Sequence, residues 1–157
     1  MIHNENIKLG EGVGSLIFGI KENEAVNILG IPANKEEYSY PDESKRLIIS
    51  YDSPKISLSF DSEDEYKLVA IDVEDNKINI EGLSLIGKDL EWAIRNLESK
   101  GFESPIIESI STQECPNSMI LFYEKSGISL NFIDYICVSY SIAPLWINEE
   151  EIKWPKG

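Results

Sequence analysis

The stretch LIISYDSPKISLSF, from Leu47 to Phe60, has a counterpart in MILFYEKSGISLNF, from Met119 to Phe132. At a constant offset of 72, six of the fourteen positions are identical: Ile48/Ile120, Tyr51/Tyr123, Ile56/Ile128, Ser57/Ser129, Leu58/Leu130 and Phe60/Phe132. Asp52 and Glu124 keep their charge. In both stretches Ile, Leu and Phe alternate with Ser or Asn, the period of a strand with one buried face and one wet face. Asp52, Ser53 and Pro54 in the first, and Glu124 to Gly127 in the second, supply turn residues midway. Each stretch therefore predicts a β-hairpin.

The likeness extends upstream. Ser15, Leu16, Ile17 and Gly19 parallel Ser84, Leu85, Ile86 and Gly87, at offsets of 69 and 68. A short amphipathic helix is predicted over Glu22 to Leu29, with Ala25, Val26, Ile28 and Leu29 on one face, then Gly30 and Pro32 to end it. A second is predicted from Leu90 to Lys100, capped by Asp89 and stopped at Gly101. Further strands are expected near 36–40, 67–74, 105–111 and 135–142. The expected fold class is thus α+β: two tandem repeats of a short helix plus a four-stranded antiparallel meander, the helices packed on one face of the sheet or sheets. The repeats span about 10–76 and 77–143 of a single domain, 1–157. Residues 78–83 connect them, and 144–157 form a C-terminal tail.

The chain has 157 residues, of which 42% are hydrophobic, enough for a sizeable core. It carries 28 acidic against 14 basic residues, a net charge of -14. Such a field repels nucleic acid and anionic lipid and attracts basic proteins, so neither nucleic acid nor membrane is an expected partner. The opening MIHNEN has neither a basic n-region nor an apolar h-region, and no apolar run reaches the ~20 residues needed to span a bilayer. A cytoplasmic location is expected. Cys115 and Cys137 have no CxxC or Cys/His spacing, so two free thiols are the simpler reading.

Catalytic equipment is sparse. The only histidine, His3, lies at the terminus, which removes histidine triads and most zinc sites. The run GEGVG at 10–14 precedes an apolar segment instead of following a strand, and no P-loop lysine follows, so it reads as a flexible lead-in. No enzyme activity, metal or cofactor is expected. The densest carboxylate group is Asp61, Glu63, Asp64 and Glu65, between two predicted strands. It lacks the alternating order of a calcium loop. A solvated hairpin tip also offers no apolar pocket to separate the pKa values of a glycosidase-type pair. The cluster, with Tyr66, Asp72 and Glu74, is the expected protein-binding surface, and Glu36 and Glu37 are expected to extend the acidic side. Tyr38, Tyr40, Tyr51, Tyr66, Trp146 and Trp154 exceed what the core pattern needs and are the aromatic types that interfaces favour, although Tyr51, repeated by Tyr123, reads better as packing.

With Ile17, Phe18 and Gly19 leading into a helix that ends Leu29, Gly30, Ile31, Pro32, the layout resembles the β-lactamase inhibitory protein and the small outer-membrane assembly lipoproteins. In size, acidity and style the chain is also similar to bacterial immunity proteins of contact-dependent and polymorphic toxin systems. That second resemblance implies a protein that binds a cognate, basic, nuclease-type toxin and covers its active site, without catalysis. The competing expectations are an assembly module that binds by sheet-edge pairing and a carboxylate hydrolase.

Overall fold

Alternation of apolar and small polar residues over 45–61, 67–73, 119–133 and 136–142 dictates strands with one buried face, and the structure is built on them. The computed structural model describes residues 6–155. In chain order its elements are β1 (Asn6–Lys8), β2 (Gly12–Val13), β3 (Leu16–Ile17), α1 (Glu22–Leu29), β4 (Asn34–Ser39), β5 (Lys45–Asp52) and β6 (Lys55–Asp61). A 3-10 turn at Ser62–Asp64 leads to β7 (Lys67–Val73) and β8 (Asn79–Ile80). Then come α2 (Leu90–Ser99), β9 (Ile106–Ser109), β10 (Met119–Tyr123), β11 (Ile128–Ile133) and β12 (Ile136–Ile142). The last two are β13 (Leu145–Trp146) and β14 (Ile152–Lys153).

One antiparallel sheet of eight strands dominates, in the order β4-β5-β6-β7-β12-β11-β10-β9. The hairpins β5–β6 and β10–β11 keep the same register: Leu47 faces Phe60 and Tyr51 faces Ile56, as Met119 faces Phe132 and Tyr123 faces Ile128. The β7–β12 pairing, with Asp72 opposite Ser141, closes the sheet into one continuous layer. One of its faces is buried through Leu47, Ile49, Ile56, Leu58, Phe60, Ile71, Val73, Leu121, Leu130, Phe132, Tyr140 and Ile142. At about 25 cal/mol per Å² of apolar surface, each such side chain contributes roughly 1.5–3 kcal/mol.

The architecture departs from the expected tandem helix-plus-meander repeat with helices packed on the sheets. Strand makes up 43% of the structure and helix 14%, so the fold is predominantly β. The two helices are only eight and ten residues long, and their fully buried side chains are Ala25, Ala93 and Leu97. Much of the cover over the large sheet is instead a second sheet, β3-β2-β1-β8, together with the segments beside it. It contributes Ile7, Val13, Leu16 and Ile80, and Phe18, Ile78 and Leu85 join from its flanks. The upstream match also fails in structure: Leu16–Ile17 is a strand, whereas Leu85 and Ile86 lie in irregular chain and a turn.

Two segments read as connecting chain are structural. The glycine-rich run is not a lead-in. Gly12 pairs in β2 with φ of +139°, and a Cβ there would lie 2.0 Å from the Leu16 carbonyl oxygen, so only glycine lets β3 fold back so closely. The connector supplies β8, which runs parallel to β1 (Asn6 beside Asn79, Ile7 beside Ile80). The Tyr140 hydroxyl donates to the Ile78 carbonyl at 2.8 Å and fixes this segment to the large sheet. In the tail, Trp154 packs on Gly19 with Lys67 5.1 Å from its ring, and Leu145 packs on Gly10. His3 lies outside the described residues.

Candidate functional site

Asp61 ends β6 and organises the acidic tip. Its Oδ1 accepts the Glu63 N–H at 3.0 Å, and its Oδ2 meets Arg46 Nη2 at 3.1 Å. Arg46 stands opposite Asp61 in the β5–β6 register, so the ion pair is a cross-strand pair. The Tyr66 N–H returns to the Asp61 carbonyl at 2.8 Å, while the Ser62 hydroxyl accepts the Lys45 N–H at 2.7 Å. Glu65 and Tyr66 both take positive φ, 57° each, to close the turn. Lys21 donates its ammonium to the Glu65 carbonyl, and Lys67 lies 3.8 Å from the Glu65 carboxylate. The tip is an ordered turn stitched by its own backbone.

Electrostatically it is crowded. Asp42, from the turn between β4 and β5, pushes the Glu63 carboxyl up, with Asp61 adding to the effect. Asp42 itself is held below the ordinary carboxylate range by the Ser44 hydroxyl at 2.6 Å and the Ser44 N–H at 3.0 Å. Asp64 is raised first by burial and then by Asp61, against opposition from Lys67 and Arg46. The Glu63 shift records the negative charge of its neighbours, which a positive ligand would relieve, whereas the Asp64 shift owes most to burial. Tyr66 is exposed here, as are Tyr38 and Tyr40 on the β4 side. The Tyr38 hydroxyl donates to the Glu36 carboxylate, which lowers the Glu36 pKa.

The seven residues singled out in the sequence fall into two groups. Asp61, Glu63, Asp64, Glu65 and Tyr66 share the tip, and Asp42 joins them although no sequence signal marked it. Asp72 lies five residues along β7 from Lys67, roughly 17 Å away at ~3.3 Å per residue. It sits half-buried on the open face of the large sheet, in a cross-strand row of Ser50, Ser57, Asp72, Ser141 and Ser129. Burial raises its carboxyl, and the Ser141 hydroxyl and Arg46 partly offset this. Glu74 pairs with Lys55 at 3.1 Å beyond the end of β7. These two, with Ser50, Asp52, Lys55 and Ser57, line a shallow depression of 190 Å³, below the roughly 300–1,000 Å³ of small-molecule sites.

Among the described residues no cluster of three or more His, Cys, Asp or Glu could hold a metal ion, and no helix is long and apolar enough to cross a membrane. Compared with protein-family models, with curated proteins and with solved structures, the chain matches none.

Proposed function

We propose that the chain is a binding protein of the immunity type, which docks its acidic tip on a basic domain of a cognate toxin, nuclease-like in charge, and covers that domain's active site. The observation that carries this reading is the crowding of Glu63 by Asp42 and Asp61 on an ordered turn. Repulsion among fixed carboxylates is a standing cost that binding a cationic surface removes. A net charge of -14 steers such a partner toward the tip and speeds encounter. Tyr66 beside the carboxylates supplies a rigid aromatic contact. The reading places the protein in the cytoplasm.

The test is association kinetics with a basic partner domain that co-purifies with this chain. Association that slows steeply with added salt, and slows again when Asp61, Glu63, Asp64 and Glu65 are all replaced by Ser, is the expected result. Kinetics indifferent to both changes would overturn it.

A further inference from the structure

The two edges of the large sheet are built differently. Every residue of β4 is exposed, and the strand is guarded by charge: Lys35 pairs with Glu22 at 2.7 Å and Glu37 with Lys45 at 3.9 Å. Such an edge resists addition of another strand. The opposite edge, β9, carries Ile106, Ile107, Glu108 and Ser109, followed by Ile110. The three isoleucines are 53%, 56% and 42% exposed.

Backbone geometry shows what this edge offers. The Ile110 N–H donates to the Ser118 carbonyl at 2.9 Å. Bonded and non-bonded pairs alternate along an antiparallel ladder, so Ile106 and Glu108 also turn their backbone groups toward β10. Ile107 and Ser109 then turn theirs outward, and among the described residues β9 pairs only with β10. The following loop bonds to itself, Thr112 N–H to the Cys115 carbonyl at 3.1 Å and Ser118 N–H to the Ser111 hydroxyl at 3.1 Å. Side chains on both faces are apolar: Ile106 stands beside Phe122, and Ile107 beside Leu121.

We propose that β9 is a docking edge that accepts an extended segment of another protein as a ninth strand, apolar at alternate positions and carrying a Lys or Arg opposite Glu108. A second copy of the chain fits poorly. Two-fold pairing that uses both Ile107 and Ser109 sets Glu108 against Glu108 and joins two chains of charge -14. A cationic segment instead gains from Glu108 and from the overall field. The edge is separated from β7 by three intervening strands and acts independently of the acidic tip.

The probe is a fluorescent peptide of sequence VTVKVTV with blocked ends. Saturable binding is expected, with slowed hydrogen exchange at the Ile107 and Ser109 amides of the intact chain. Ile107→Pro removes an outward N–H without touching the β10 ladder, and an edge tolerates proline there. Its affinity is expected to fall about tenfold, as it is for a peptide N-methylated at alternate amides. Glu108→Lys is expected to reverse the preference toward VTVEVTV. The proposal is overturned by no binding to the unmodified chain, by equal binding to folded Ile107→Pro or of the methylated peptide, or by unchanged exchange at those amides. Indifference to the Glu108 exchange, or dimerisation of the free chain through β9, overturns the choice of occupant. Serine replacement of the four tip carboxylates is expected to leave peptide binding unchanged.

Discussion

Tyr51 and Tyr123 occupy the same register position, opposite Ile56 and Ile128, yet only one hydroxyl has a partner. Tyr51 donates to the Gly30 carbonyl at 2.9 Å. The Tyr123 hydroxyl is buried with no hydrogen-bond partner among the described residues, its ring edge-on to Phe102 at 5.9 Å. Burial, and then Glu103, push its phenol up to about 12. Tyr51→Phe should therefore cost roughly 0.5–1.5 kcal/mol, the net worth of one hydrogen bond, whereas Tyr123→Phe should be neutral or stabilising because it removes an unpaired buried hydroxyl. Urea midpoints at unchanged slope measure both. An equal loss in the two variants would contradict the assignment.

Asp72 gives a pH signature. Its folded carboxyl is raised above the ordinary 3.8 by burial. For a raised acid, folding favours the protonated form, so its stabilising contribution is present below the ordinary value and is lost as pH rises through the folded value. Asp72→Asn keeps a neutral side chain of similar shape at every pH. The variant should be more stable than the parent at neutral pH, and the gap should close on acidification toward 3.8. Denaturation at several pH values decides it, and a gap that widens toward acid would reverse the sign.

The large sheet was readable because its signal is local. Ile56, Leu58 and Phe60 alternate with serines, so the hairpin, its register and its buried face follow from a few adjacent residues. The second sheet was not readable. Its strands are two or three residues long, one begins at a glycine, and the β1–β8 pairing joins segments far apart in the chain. Neither periodicity nor propensity operates over so few residues. The helices were visible from Asp89 and from the Ala25 to Leu29 face, but short helices contribute little buried volume, and their prominence in sequence overstated their share of the fold. At the acidic tip, Asp61 to Tyr66 were legible as a cluster. Asp42 became a neighbour only because the β5–β6 register places Arg46 opposite Asp61 and so carries the preceding turn alongside. Asp72 and Glu74 stand close to the tip in sequence, but an extended strand converts that proximity into distance.

The cysteines differ in reactivity. Cys115 is exposed between β9 and β10, while Cys137 is buried and burial pushes its thiol up to about 12. A thiolate is the reactive species, so Cys137 should stay unmodified in the native chain. Labelling with a maleimide should add one group per chain under native conditions and two in denaturant. Two groups added at the same rate in the folded protein would contradict the burial.

Three glycines differ in how closely the chain packs on them: Gly30 at the end of α1, Gly10 beneath Leu145 and Gly12 in β2. All take positive φ: Gly30 at +89°, Gly10 at +74° and Gly12 at +139°. At Gly30 an added Cβ meets nothing within 4 Å, so Gly30→Ala should cost only the conformational term of its extended, positive-φ backbone, about 1–3 kcal/mol, or roughly 2–12 °C in Tm. At Gly10 the Cβ would lie 2.7 Å from Leu145 Cγ, so the Leu145 side chain must also give way. At Gly12 it would lie 2.0 Å from a backbone oxygen, which no rotamer change relieves, so Gly12→Ala should unzip β2 from β3 and expose Leu16. Thermal melts should therefore fall in the order Gly30→Ala least, Gly10→Ala more and Gly12→Ala most. If Gly12→Ala melted with the parent, the second sheet would not be covering the core as described, because Val13 and Leu16 reach the interior only through that turn.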